Sequence, residues 1–176
     1  ILNDCNNNLN TLGKLSIRDL EQYKGIGSAK AITILAACEL GKRRQKSTVE
    51  EAPILNSAEN IYQFMHTTIQ DLDIEEGWVL MMKQNFRLIE AKRISVGGLT
   101  MAPVDLRLMM KEVLLKNTTV LAFCHNHPSG STNPSRDDDI LTSHIHKACE
   151  LLHIHFADHV ILTDGGYFSY REEGKL

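Results

Sequence analysis

The chain has 176 residues, of which 43% are hydrophobic, and a formal net charge of −3. That length gives room for one ordinary domain and a small second one, and no apolar stretch reaches the roughly 18–20 residues that a membrane span needs. The four cysteines are scattered without a C-x-x-C pair, which predicts free thiols and a cytoplasmic location.

The first segment, residues 1–45, predicts two short helices. Ser16 is a predicted cap of the first helix. The second runs from Ser28 to Leu40, where Gly41 and a basic stretch end it. Because the sequence opens on Ile1 without a signal peptide, we expect it to begin inside a longer chain.

Charge divides the chain into a basic and an acidic part. Residues 1–46 carry eight Lys/Arg against four Asp/Glu, whereas residues 47–176 carry eleven against eighteen. This asymmetry indicates that only the first part would meet nucleic acid, although ordinary solvated lysines explain the charge equally well.

A polar linker, residues 46–56, precedes a predicted mixed α/β domain at residues 57–176. Ser57 and Ser135 are predicted helix caps, and a further helix is predicted from Leu106. Apolar runs predict strands at 78–82, 88–96, 119–124, 156–163 and 167–170, with a glycine turn at Gly97-Gly98. This mixture argues for an α/β or α+β fold class, a sheet flanked by helices, rather than an all-β domain.

The most informative motif is H-N-H-P-S-G at 125–130, followed by P-S-R-D-D at 134–138. Residues i and i+2 of a strand share a face, so His125 and His127 would reach one point. With Asp138 they form a three-ligand set that leaves a fourth position for water, as in catalytic zinc sites. Ser135 is placed to stabilise an oxyanion, although Ser135-x-x-Asp138 is also an ordinary capping box, and the two interpretations are compatible.

Other pairs in the sequence are weaker candidates. His144 and His146 lie two apart in a predicted helix, where such residues point away from each other. His153 and His155 lack a following loop and capped carboxylate, and Cys124 falls on the opposite strand face from the histidines. The zinc deaminase motif H-x-E with P-C-x-x-C and the motif H-E-x-x-H are both absent.

The spacing of the two histidines, the serine and the aspartate resembles the JAMM (MPN+) metalloproteases, and the fuller motif resembles the RadC-type DNA repair protein family. Asp158-His159 and Gly97-Gly98-Leu99 are similar to further segments of that family. The resemblance covers roughly residues 10–174. It implies an MPN-type, cytidine-deaminase-like fold, a Zn²⁺ cofactor and hydrolysis of a peptide or isopeptide bond. Asp158 and His159 would by resemblance lie near the site.

In JAMM enzymes the general base is a glutamate on an earlier strand, and the matching residue here is Glu75, with Glu76 as the second choice. The family usually shows Glu, any residue, then Phe, whereas this chain has Gly77 in place of the phenylalanine. The alternative for either glutamate is an ordinary surface position before a strand.

The segment Lys24-Gly25-Ile26-Gly27-Ser28-Ala29-Lys30 resembles a helix-hairpin-helix module. Its glycines let the backbone approach a phosphate, and a helix N-terminus offers amide donors. Lys24 and Lys30 could add charge, so we expect weak DNA binding that is independent of sequence. A G-I-G turn also serves merely to join two helices.

Three functions follow for testing. The first is a zinc-dependent hydrolase that cleaves a peptide or isopeptide bond of a protein substrate. The second keeps the metal but cleaves DNA phosphodiesters. The third is a non-catalytic DNA-binding adaptor with a structural metal. The sequence predicts no membrane partner and leaves the oligomeric state open.

Overall fold

The computed structural model describes residues 1–46, 51–97 and 104–176, and the chain splits into two compact units, Ile1–Glu51 and Ala52–Leu176. Within the described ranges, no helix combines the length and the apolar character that crossing a bilayer requires. The predicted turn at Gly97-Gly98 and Leu99 of the same segment fall at or within a gap, so Gly98 and Leu99 lie outside the described residues.

The described part of the first unit, residues 1–46 and 51, contains three helices, α1 (Leu9–Leu12), α2 (Ile17–Glu21) and α3 (Ser28–Lys46). Ser16 caps α2 in a full capping box with Asp19. The buried side chains that hold this unit together are small in number, namely Cys5, Leu12, Leu20 and Ala31. A core of this size indicates a unit of modest stability.

Helix α3 does not end at Leu40, as the sequence predicted, but continues through Gly41 to Lys46. Glu39 pairs with Arg43 one turn later at 3.0 Å, which bridges the glycine. Basic side chains in the last turn also face the negative end of the helix dipole. These local charges offset part of the cost of about 1 kcal/mol that a glycine imposes inside a helix.

The second unit is a five-stranded mixed sheet flanked by helices, which confirms the predicted fold class. Its elements are α4 (Ala58–Ile69), β1 (Glu76–Met82), β2 (Leu88–Val96), α5 (Leu106–Leu115), β3 (Val120–Asn126), α6 (Arg136–Leu151), β4 (His155–Thr163) and β5 (Gly166–Ser169). The strand order is β2-β1-β3-β4-β5, with β3 and β4 parallel and the other neighbours antiparallel.

Strand β3 is buried along its whole length because both faces of the sheet are covered. Ala122 and Cys124 point into the core formed with α4. Leu121 and Phe123 point into the core formed with α5 and α6. The alternation continues to the end of the strand, so His125 projects on the same side as α6.

The end of the predicted linker, residues 46–56, is part of the second unit. Leu55 is only 2% exposed within the α4 core, and Ile54 forms a β-bridge with Arg87. Residues 47–50 lie outside the described part of the chain, and Lys46 completes α3. Pro53 favoured a linker in the sequence because proline lacks a backbone N–H donor. Its carbonyl nevertheless accepts a backbone hydrogen bond from Leu88.

Candidate metal centre

Two local structures bring the predicted metal ligands together. His125 lies near the end of β3, and His127 follows immediately after that strand. Asp138 is the third residue of α6, after a loop that turns at Gly130 with φ +76°. That positive φ favours glycine over other residues.

Four potential ligand atoms converge here, one each from Glu75, His125, His127 and Asp138, all within 4.8 Å of one another. The Nε2 atoms of the two histidines are 3.0 Å apart. His125 Nε2 is 3.2 Å from Asp138 Oδ1, and His127 Nε2 is 3.7 Å from Asp138 Oδ2. Ligands about 2.0–2.1 Å from one tetrahedral ion lie about 3.3 Å apart, so the group can hold a divalent metal.

The hydrogen bond of His127 fixes which of its nitrogens faces the cluster as an acceptor. Its Nδ1 lies 2.7 Å from the carbonyl oxygen of Ser131. A carbonyl only accepts, so Nδ1 carries the proton and Nε2 presents a lone pair to the cluster. The Asp138 carboxylate, whose Oδ2 lies 3.7 Å from His127 Nε2, raises the pKa of His127, although burial opposes that shift. A proton and a metal ion therefore compete for the same nitrogen.

Asp138 is held by the cap of α6 and by both histidines. Its Oδ2 accepts hydrogen bonds of 2.7 Å from the amide and the hydroxyl of Ser135, whose Oγ accepts from the Asp138 amide at 3.2 Å. Burial acts to raise the pKa of Asp138, but the neighbouring His125 and His127 side chains outweigh it and hold that pKa well below its usual range. The carboxylate is therefore ionised and aimed by the helix cap.

Ser135 thus adopts the capping geometry, with its hydroxyl proton directed to Asp138. Its side chain remains at the exposed mouth of the cluster. A hydroxyl in that position can also reach a bound molecule if it rotates away from the carboxylate.

The two neighbouring glutamates have different surroundings. Glu75 Oε1 lies 3.9 Å from His125 Nε2. Glu76 points elsewhere: its Oε1 accepts from Arg93 at 2.6 Å, and its Oε2 accepts from Trp78 Nε1 at 3.1 Å. Successive residues of a strand face opposite sides, so only Glu75 joins the cluster and Glu76 forms a structural ion pair.

Gly77 is the residue at which the chain departs from the Glu-x-Phe pattern that the resemblance implies. It pairs with His125 across β1 and β3. A Cβ atom there would lie 2.5 Å from Ser95 Oγ and 2.9 Å from Phe123 Cζ. The ring of Phe123 therefore fills the space beside the strand, and a side chain at residue 77 would have to displace Ser95 Oγ and this ring.

Asn126 is a positioning residue that the sequence did not single out. Its side chain donates to the carbonyl of Ile74 at 2.9 Å and accepts from the amide of Glu76 at 2.8 Å. These two hydrogen bonds hold the backbone in place on either side of Glu75. The middle letter of H-N-H was the available signal, because a buried amide between two ligands needs partners.

The weaker candidates lie apart from the cluster. Cys124 is buried on the α4 face, and burial raises the pKa of its thiol. The side chains of His144, His146, His153 and His155 are exposed. None of these four belongs to a group of potential metal ligands within the described residues.

Asp158 and His159 divide between the two sides of β4. Asp158 accepts from Ser169 Oγ at 2.5 Å and from the Arg171 amide at 3.0 Å, so it fixes the turn after β5. His159 Nε2 lies 2.9 Å from His125 Nδ1. Burial lowers the pKa of His159 well below its usual range, and the neighbouring His125 adds to this effect. Only His159 touches the cluster.

The predicted DNA-binding residues lie in the turn between α2 and α3 and, for Lys30, in the first turn of α3. Gly25 has φ +86°, and α3 starts at Ser28, directly after Gly27. Lys24 is exposed. Lys30 is also exposed, and its ammonium donates to the Gly25 carbonyl at 2.8 Å. That bond closes the turn, which leaves Lys24 as the more available cation.

A cleft of about 480 Å³ adjoins the cluster, and His127 forms part of its wall. The end of α4 and the loop after it form one side, and the ends of β3 and β4 form the other. Three carboxylates line this cleft, those of Asp71, Asp73 and Asp164. The cleft can accommodate a side chain or a short peptide segment beside His127, the one candidate ligand in its wall.

The fold and cluster define a mixed α/β domain with a potential divalent-metal centre at the end of its central strands. The sequence model described as the RadC-like JAB domain matches residues 55–175. A UPF0758 protein of Flavobacterium johnsoniae is 40% identical over 167 residues, covering 95% of this chain and 73% of that protein. A UPF0758 protein of Porphyromonas gingivalis is 35% identical over 178 residues, covering 100% and 78%.

The chain therefore belongs to the RadC-like JAB domain family, as its motif predicted. The family match and the ligand cluster together fit a metal-dependent function of JAMM type. The family match begins at residue 55, so it does not include the helical hairpin.

Proposed function

We propose that this protein is a zinc-dependent hydrolase that cleaves an amide bond, in a peptide or an isopeptide. The observation that carries the proposal is the convergence of two imidazole nitrogens, one capped carboxylate and the Glu75 carboxylate. Mixed nitrogen and oxygen donors at tetrahedral spacing suit zinc better than magnesium or calcium, which prefer oxygen ligands alone.

The side chains divide the work of hydrolysis. His125, His127 and Asp138 would hold zinc, which when bound supplies the Lewis acidity that activates water. Glu75 would act as the general base and pass a proton to the leaving amine. Ser135, at the mouth of the cluster, would donate a hydrogen bond to the developing oxyanion. Its rotation away from Asp138 would accompany substrate binding.

Charge favours an amide substrate over the alternative, a DNA phosphodiester. Residues 47–176 carry eleven basic and eighteen acidic side chains, and three aspartates line the cleft beside His127. A phosphate backbone is repelled by such a surface. A peptide, in contrast, can carry a cationic side chain into the cleft.

The test is an activity screen on zinc-loaded wild type, Glu75→Gln and the matched control Glu76→Gln. Peptide and isopeptide substrates are presented beside single-stranded, duplex and branched DNA. We expect amide cleavage that falls about 10²–10⁴-fold in Glu75→Gln, while zinc content stays unchanged and Glu76→Gln retains turnover. DNA cleavage lost in Glu75→Gln would replace the proposal with the phosphodiesterase.

Zinc binding without either activity would instead favour the third function, a DNA-binding adaptor in which the metal is structural. A closed fourth metal position would point the same way. Retained biological function in Glu75→Gln would also support the adaptor, because that change removes only the base.

A separate proposal concerns the first unit, in which the turn from Lys24 to Lys30 would bind DNA without sequence preference. It is supported by the positive φ of Gly25 and by the exposed start of α3. We expect Lys24→Glu to weaken DNA binding at low salt and to leave zinc content unchanged. Equal DNA affinity in wild type and Lys24→Glu would reject this interface and any link to DNA repair through it.

A further inference from the structure

One polar network connects the candidate metal centre to the interior of the second unit. His159 is fully buried, and its Nε2 lies 2.9 Å from His125 Nδ1. Its Nδ1 lies 2.5 Å from Thr142 Oγ1. Thr142 is itself buried on α6, one turn after Asp138. The stacked ring of Tyr170 covers one face of His159.

The direction of each hydrogen bond follows from the far end of this network. Thr142 Oγ1 lies 2.6 Å from the backbone carbonyl of Asp138, which can only accept, so the threonine donates its proton there. The same oxygen must then accept from His159, so His159 carries its proton on Nδ1. A neutral imidazole has one N–H, and His159 Nε2 is therefore an acceptor.

The last bond in the network sets the tautomer of His125. Since His159 Nε2 accepts, His125 Nδ1 must donate to it. The other nitrogen of His125, Nε2, then presents its lone pair to the cluster, 3.0 Å from the Nε2 of His127. The opposite tautomer would leave the acceptor nitrogens of His125 and His159 facing each other in the buried interior, at the desolvation cost of unpaired polar groups. The two Nε2 lone pairs of His125 and His127 also face each other, but they do so at the ligand cluster, where a bound cation would lie between them.

We propose that Thr142 and His159 are positioning residues that lock His125 in the tautomer able to bind the metal. The tautomer of His127 is set in the same way, by the hydrogen bond from its Nδ1 to the backbone carbonyl of Ser131. The tautomer of His125 is set through two side chains, those of His159 and Thr142, so a single substitution away from the cluster can disturb that tautomer. This inference rests on the proposed function, because the lone pair of His125 Nε2 is taken to bind zinc.

The test compares Thr142→Val, which removes the hydroxyl and keeps the shape, with Thr142→Ser, which restores the hydroxyl. The matched control is Thr163→Val, since Thr163 is a buried threonine that donates to the Gly166 carbonyl at 2.9 Å, outside the network. Zinc affinity is measured by competition with a chelator. We expect Thr142→Val to lose about 10–100-fold in affinity, whereas Thr142→Ser and Thr163→Val stay close to wild type.

Nitrogen-15 NMR of the metal-free wild type provides a second measurement that needs no variant to fold. The hydrogen bonds predict that His125 and His159 both carry their protons on Nδ1. A proton on Nε2 of either residue would overturn the proposal. So would zinc affinities that are equal in Thr142→Val and Thr163→Val.

These readings separate the inference from the proposed function. Zinc binding and the tautomers test the positioning role, and neither depends on turnover. If the wild type bound no zinc, the proposed function would fail, while a proton on Nδ1 of both histidines would still support the network.

Discussion

The two units contain the same capping box with different outcomes. Ser16 and Asp19 begin α2, and Ser135 and Asp138 begin α6. In both boxes the serine amide and hydroxyl donate to the carboxylate at 2.7 Å, and the aspartate amide donates back at 3.2 Å. Asp19 is exposed, whereas Asp138 is 7% exposed and faces two histidines.

The comparison shows that S-x-x-D encodes a helix start and nothing more. In α2 the hydrogen bonds from Ser16 alone lower the pKa of Asp19. In α6 the same bonds aim a buried carboxylate at His125 and His127, which add their own effect on its pKa. The candidate site therefore arises because the end of β3 places His125 and His127 opposite the cap of α6.

The largest effect expected to distinguish the Ser135–Asp138 capping box from the Ser16–Asp19 box is the pH dependence of metal binding. Asp138 raises the pKa of His127 above 6.5, and zinc requires the neutral imidazole. Zinc affinity should therefore be highest above that raised pKa and fall about tenfold per pH unit below it. Chelator competition at about pH 8 and about pH 5.5 measures this, and equal affinities at both would contradict the role of His127.

A second contrast concerns glycine in the two units. Gly77→Ala should cost about 1–3 kcal/mol of stability, because the new Cβ meets Ser95 and Phe123. Gly27→Ala in the first unit meets nothing within 4 Å and should be neutral or slightly stabilising. Urea denaturation of each variant beside wild type checks this. A midpoint for the second unit that is the same in Gly77→Ala and wild type would show that the packing beside His125 can relax.

The smallest effect separates the two serine caps. Ser16→Ala and Ser135→Ala should each cost roughly 1 kcal/mol in their own unit. Only Ser135→Ala should also weaken zinc binding, by up to about tenfold, because Asp138 loses the hydroxyl that orients it. Thermal denaturation and zinc titration measure the two effects. A zinc affinity unchanged by Ser135→Ala would make its hydroxyl a helix cap only.

Much of the fold could be predicted because it follows from short-range patterns. The apolar run at 119–124 is the central strand, and Ser57 and Ser135 cap helices as expected. The end of α3 could not be predicted, since Gly41 is a stop signal but the helix continues past it, with the Glu39–Arg43 pair spanning the glycine. Such competition between local terms is decided by a few tenths of a kcal/mol.

The convergence of His125 and His127 followed from the period of a strand, and that of Asp138 from its cap. The separation of Glu75 from Glu76 did not, because it depends on which one meets Arg93 across the sheet. The bonds from Asn126 to the backbone around Glu75 and from Thr142 to His159 also join residues distant in sequence. A single sequence carries no local signal for contacts of this kind.

The most direct test of the metal centre compares Asp138→Ala with its matched control, Asp19→Ala. Both changes remove the aspartate of a capping box with the same hydrogen bonds. Atomic absorption on purified protein should find zinc in wild type and Asp19→Ala and almost none in Asp138→Ala. Equal zinc content in all three proteins would contradict the account, because Asp138 would then be a helix cap and not a metal ligand.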